Sequence, residues 1–121
     1  MSLKIDIREM PNATILDLEG RLTLGESLVN LRDAIREVLT ADRKNIVLNL
    51  AGISYIDSSG LGQLVGSFAT VTNNGGQLKL LNLQKKVEDL MQVTKLLTVF
   101  EAYSSEAAAL KSFTRAAATQ G

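Results

Sequence analysis

The sequence predicts an α/β fold: one domain with a mixed, mostly parallel sheet of about five strands and about four helices, in the order β-β-α-β-α-β-α-β-α. Three observations predict it. Short apolar stretches of strand character alternate with longer stretches whose apolar residues recur at helical spacing. The first two strand patterns are joined by a short link, which favours a hairpin and one antiparallel strand at the start of the sheet. The run I-V-L-N-L-A-G-I-S-Y-I-D-S-S-G-L-G, Ile46 to Gly62, passes from a buried-strand pattern through a short connection into a helical one.

Each element has its own signal. Leu3, Ile5 and Ile7 alternate with polar residues, as in a half-buried strand. Pro11-Asn12 marks a turn, and Ile15, Leu16 and Leu18 give a second strand closed by Gly20. Thr23-Leu24-Gly25-Glu26 fits the T-x-x-E capping box, so a helix is expected to start there with Leu28, Leu31, Ile35, Val38 and Leu39 on one face. The polar residues 42–45 lead into a strand at Ile46–Leu50. The next helix carries Leu61, Leu64, Val65, Phe68 and Val71, and Asn73-Asn74-Gly75-Gly76 ends it. Leu78, Leu80 and Leu81 suggest a strand. Val87, Leu90 and Met91 suggest a short helix, and Leu97, Val99 and Phe100 a last short strand. Ser104 or Ser105 can cap a final helix with Ala107, Leu110 and Phe113, and 116–121 is a small, polar tail expected to fray.

Composition narrows the function. The chain has 121 residues, 45% hydrophobic and 21% charged, which suits a single soluble globular domain. Lys+Arg and Asp+Glu are both 13, so no basic excess points to nucleic acid. No apolar run suits membrane insertion and no signal-peptide pattern opens the chain, so a cytoplasmic location is expected. Cysteine and histidine are both absent. Disulfides, thiolate chemistry, His-ligated zinc and Ser-His-Asp triads are thereby removed, and neither metal nor cofactor is expected.

Tempting motifs fail on particular residues. A G-x-S-x-G nucleophile elbow needs glycine at position 56 or 57, which hold Ile56 and Asp57. No lysine completes a P-loop, and Val65 stands where a G-x-G-x-x-G begun at Gly60 needs its last glycine. What remains is Asp57-Ser58-Ser59-Gly60, at the handover from strand to helix. Unpaired N–H groups and the positive end of the helix dipole meet there. A serine at this place can cap the helix, or accept a phosphate that the same groups tolerate. Gly60, Gly62 and Gly66 each weaken a helix, so close approach of the sheet or of a partner protein is expected along this segment.

The stretch from Ile46 to Val65 resembles the signature of STAS domains, and most closely that of stand-alone anti-anti-sigma factors (anti-sigma factor antagonists). Leu18-Glu19-Gly20-Arg21-Leu22 is similar to the family's strand-Gly-x-Leu corner, and Asn74-Gly75-Gly76-x-Leu78 to its helix-to-strand turn. Phe100 followed by Ser104-Ser105-Glu106-Ala107 resembles its last strand and helix. The resemblance implies a STAS domain over 1–115 and a protein-binding switch rather than an enzyme. It implies that the unphosphorylated chain binds an anti-sigma factor that is itself a serine kinase, which frees a sigma factor. The kinase phosphorylates the first serine of D-S-S-G and a serine phosphatase reverses it; carried over, the acceptor is Ser58. Asp57, Ser59, Gly60 and Leu61 are then expected to share the partner surface, with Thr23 at the nearby corner. Rival readings are a STAS subunit of a lipid or anion transporter, which needs no phosphorylatable serine, and a small-ligand or nucleotide-binding module.

The sequence departs from the family at three places. The acidic residue of the G-x-L-D corner is Thr23, which can cap a helix but brings no charge to the partner. The glycine of T-G-L is Lys95 in Thr94-Lys95-Leu96, and no proline precedes the third helix near Gln84-Lys85.

Overall fold

The computed structural model of the protein describes residues 3–120, with side chains from 114 onward outside that description. Five strands, β1 (Lys4–Glu9), β2 (Thr14–Leu22), β3 (Asn45–Ile56), β4 (Gln77–Leu81) and β5 (Ala102–Tyr103), form one sheet in the order β1-β2-β3-β4-β5. β1 runs antiparallel to β2, and the remaining neighbours are parallel. Four helices follow the strands: α1 (Glu26–Thr40), α2 (Ser58–Asn73), α3 (Lys85–Val93) and α4 (Glu106–Gln120). This is the order expected from the sequence. The expected frayed tail, 116–121, falls outside the described side chains and, at Gly121, outside the described backbone.

Alternation along β2 and β3 sorts the core into two parts, as a parallel sheet covered on both faces requires. Leu16, Leu18, Leu22, Ile46, Leu48 and Leu50 meet Leu31 and Ile35 of α1, Leu61 and Leu64 of α2, and Val87 and Met91 of α3. Their neighbours Ala13, Ile15, Val47 and Leu81 meet Ala109 and Phe113 of α4 on the other face. Polar contacts fix α4 in place. Lys79, only 3% exposed, donates to Ser112 Oγ at 2.8 Å, lies 3.3 Å from Glu101, and sits over the Phe113 ring. Arg8 pairs with Asp17 at 2.6 Å and with Glu106 in the first turn of α4 at 2.8 Å.

Several local expectations are corrected. β2 passes through Gly20 to Leu22, and β3 runs six residues beyond Leu50 to Ile56. Two register shifts against β2 explain the missed length. Between Asp17 and Glu19 of β2, β3 advances from Asn49 to Gly52, and between Gly20 and Arg21 it advances from Ile53 to Tyr55. Each shift inserts an extra residue into β3, so the core residues become Leu50, Ile53 and Ile56, three apart instead of two. The last strand lies at Ala102–Tyr103, because Lys95 adopts a left-handed conformation (φ 61°) and Leu96–Thr98 winds into a single 3-10 turn. On α2, Val65 is exposed while Ser67 is buried. On α4, Ala109 rather than Ala107 faces the sheet, and Ser105 accepts the capping bond from the Ala108 N–H.

Candidate functional site

The C-terminal ends of β2 and β3 lie side by side, Leu22 opposite Ile56. Both chains leave the sheet there, β2 into α1 and β3 into α2. The Asp57 N–H donates to the Leu22 carbonyl at 3.1 Å, so the two exits are joined by a backbone bond beyond the last paired residues.

Asp57 is the N-cap of α2. Its backbone is extended, and its Oδ1 accepts from the Gly60 N–H at 2.7 Å. Capping of this helix therefore falls to the aspartate, not to either serine. The other carboxylate oxygen, Oδ2, accepts from the Leu24 N–H at 3.0 Å, on the β2–α1 turn 33 positions away. One side chain thus closes the helix end and holds a distant turn against it. The Leu24 and Gly60 N–H groups, in that order, hold the Asp57 carboxyl below the usual aspartate range.

With the cap filled, Ser58 occupies the first helical position, exposed, and its hydroxyl makes no hydrogen bond among the described residues. Ser59 is half-buried. Gly60 and Leu61 are buried, so they support the loop from beneath. A Cβ on Gly60 would lie 2.2 Å from the Leu22 carbonyl oxygen and 2.8 Å from Ile56 Cγ2; only glycine lets the first turn of α2 come this close to the sheet. Gly62 and Gly66 have open space where a Cβ would be, so sheet packing accounts for one of the three helix glycines.

The T-x-x-E motif does not act as a capping box. Gly25 is the N-cap of α1, with φ 120° and no side-chain cap. Thr23 instead exchanges two bonds with Ser27: its N–H donates to Ser27 Oγ at 3.1 Å, and the Ser27 hydroxyl donates to the Thr23 carbonyl at 2.7 Å. Thr23 still reaches the expected place, because its neighbour Leu24 is bonded to Asp57. Two surface features escaped sequence reasoning. Leu24 is 78% exposed at the tip of the turn. Arg21 lies over the ring of Tyr55, which is 49% exposed, at 5.3 Å on the adjacent strand ends. The signal for Leu24 was an apolar residue between two turn-forming ones, which the capping-box pattern treats as a spacer.

Among the described residues no group of three or more acidic, His or Cys side chains could hold a metal ion, and no helix is long and apolar enough to cross a membrane. The surface depressions lined by Arg43 and Phe113, by Ile5 and Asp33, and by Gln84 and Tyr103 all leave Ser58 outside. What the geometry brings together at this junction is a capped helix end, an exposed serine hydroxyl and the tip of the β2–α1 turn.

The chain is similar in sequence and in fold to known proteins. The chain is 30% identical over 84% of its length to the anti-sigma-B factor antagonist of Bacillus subtilis strain 168, covering 91% of that protein. An anti-sigma factor antagonist from Mycobacterium paratuberculosis has the same fold, with a TM-score of 0.81 at 16% identity over 93% of this chain and 94% of the other. The antagonist SpoIIAA matches in its unphosphorylated form over 93% of this chain and 98% of its own, at 18% identity. Its phosphorylated form, from Bacillus, matches over 89% and 97% at 20% identity, and both forms have a TM-score of 0.68. A family model described as the STAS domain matches residues 4–109, which takes in every strand and the start of α4, and the chain belongs to the STAS family.

Proposed function

We propose that this chain is an anti-anti-sigma factor, a cytoplasmic regulator that acts by binding and performs no catalysis of its own. In the unphosphorylated state it holds an anti-sigma factor that is also a serine kinase, and a sigma factor is released. Phosphorylation of Ser58 by that kinase ends the interaction, and a serine phosphatase restores it. The observation that carries this reading is the division of labour at the start of α2: Asp57 takes the capping role, leaving the Ser58 hydroxyl exposed and unused. A serine kept only for capping would make the bond that Asp57 makes.

The switch needs no refolding. A phosphate adds about −1.5 to −2 charges at a helix N-terminus, where exposed N–H groups and the dipole accept negative charge. The unphosphorylated and the phosphorylated form of SpoIIAA each match this chain's fold with a TM-score of 0.68, which supports a switch without refolding. The effect falls on the partner. Two like charges ~4 Å apart repel by about 4 kcal/mol at an effective dielectric of 20, close to a thousandfold in affinity. Gly62 and Gly66, bare of neighbours on the exposed side of α2, leave room for a partner backbone to come close.

Incubation with the cognate anti-sigma kinase and ATP, followed by peptide mass spectrometry, should place the label on Ser58. Calorimetric titration should show Ser58→Ala binding like the wild type and Ser58→Asp binding at least tenfold more weakly, with all three melting alike. Label on Ser59 alone, or equal affinity of the three proteins, would overturn the assignment.

A further inference from the structure

Leu24 is a large apolar side chain almost fully in water, on a turn held by four hydrogen bonds. Its own N–H goes to Asp57 Oδ2, Thr23 and Ser27 exchange two more, and the Leu28 N–H returns to the Gly25 carbonyl at 3.2 Å. The turn is fixed, yet nothing in the core requires Leu24. Gly25 supplies the positive φ of 120° that the turn needs, with open space where a Cβ would stand.

We propose that this turn, with Leu24 at its tip, is the apolar anchor of the surface that meets the anti-sigma factor, and that Asp57 is the positioning residue holding it beside Ser58. The inference rests on the function proposed above and adds a contact 34 positions before the acceptor. Geometry supplies the occupant. The Leu24 N–H lies 3.0 Å from the carboxylate of the residue preceding Ser58, which places Leu24 within roughly 10 Å of the acceptor. A specific protein interface covers about 800 Å² on each partner, a patch roughly 16 Å in radius. A kinase that reaches the Ser58 hydroxyl therefore covers the Leu24 turn as well. An aliphatic side chain desolvated near the centre of such a patch, on a backbone already ordered, adds affinity without the ordering entropy a loose loop would lose.

The test titrates the wild type, Leu24→Ala, Leu24→Met, Asp57→Asn and the Leu24→Ala/Asp57→Asn double variant with the cognate anti-sigma factor by calorimetry. Melts and amide hydrogen exchange are recorded on the free proteins. Leu24→Ala should lose ten- to a hundredfold in affinity, the size expected for burying a leucine side chain, while melting like the wild type. Leu24→Met, which keeps the apolar volume, should bind within a few-fold of the wild type. Asp57→Asn cannot present acceptors to both N–H groups, so exchange of the Leu24 amide should quicken and affinity should fall. In that background Leu24→Ala should lose less than it does alone, because the turn is no longer held in place. Wild-type affinity in Leu24→Ala, or losses that simply multiply in the double variant, would overturn the proposal. If Ser58→Asp weakens binding and Leu24→Ala does not, the function stands and the anchor falls. If the wild-type chain binds no anti-sigma factor, both fall.

Discussion

Gly60 and Gly62 sit two residues apart in α2 and face opposite surroundings. Gly60 looks into the sheet, where a Cβ would strike the Leu22 carbonyl and the Ile56 side chain; Gly62 looks outward with nothing within 4 Å. The same split runs along the helix. Gly60, Leu61, Leu64, Ser67 and Val71 are buried, while Ser58, Gly62, Val65, Gly66 and Ala69 are exposed. The inner face is set by the fold. The outer face is not, and it begins at the residue proposed to carry the phosphate. One residue type therefore has two meanings in one helix, and only the neighbours tell them apart.

The largest consequence belongs to the inner face. Gly60→Ala places a methyl group against backbone atoms at 2.2 Å and 3.0 Å, and a sheet backbone cannot yield as a flexible side-chain tip can. The first turn of α2 must lift from Leu22, which strains the bond from Asp57 N–H to the Leu22 carbonyl. A loss of about 3 kcal/mol is expected, at the upper end for overpacking by one methyl group, with a fall in melting temperature of roughly 10 °C. Denaturant titration checks it, and a wild-type midpoint would mean that the two faces of α2 differ less than their geometry indicates.

A smaller effect lies at the junction of the two faces, on Asp57. Its folded-state pKa lies below the ordinary value of 3.8, through the N–H groups of Leu24 and then Gly60. The stabilisation this gives is therefore fully present above that ordinary value and is lost as pH falls through the lower folded one. Asp57→Asn should accordingly melt below the wild type by a constant margin from neutral pH down to about pH 5, and the gap should close on further acidification. A margin that persists unchanged through the most acidic conditions in which both remain folded would assign the loss to shape rather than charge.

Much of this could be read from residue order, and the places where reading failed share a cause. The β-β-α-β-α-β-α-β-α order was legible because Ile46-Val47-Leu48 is a short apolar run and Leu78, Leu80 and Leu81 crowd into four positions, while Leu28 to Leu39 recur at helical spacing. The second half of β3 was not legible. Its two bulges place Leu50, Ile53 and Ile56 three apart, a spacing that no strand template contains. Leu97 and Phe100 looked extended because their pattern is short, and a left-handed Lys95 turned the chain first. At the site, the D-S-S-G motif was legible as the handover from strand to helix, and the structure puts it at the start of α2. The roles within it depend on contacts across 33 positions, from Asp57 to Leu24, which no local pattern records. The T-x-x-E motif misled for the same reason: Thr23 is engaged with Ser27 rather than with the helix N–H groups.

The smallest effect concerns the outer face, and it reverses sign. Gly62 and Gly66 lie in the interior of a helix with open space at both Cβ positions, so Ala can be added without contact. Each glycine destabilises an exposed helix by up to about 1 kcal/mol relative to alanine, chiefly through backbone entropy. Gly62→Ala and Gly66→Ala should each raise the melting temperature by a few degrees, and the double variant should gain close to the sum. Binding should move the other way. Two methyl groups on the strip that runs from Ser58 toward Ala69 hold a partner backbone farther from α2, so affinity for the anti-sigma factor should drop while stability rises. A thermal melt and a calorimetric titration of the same preparations decide it. Gain of stability with unchanged affinity would leave the outer glycines without a role in recognition, and loss of stability would mean that this face, too, is packed against something in the folded chain.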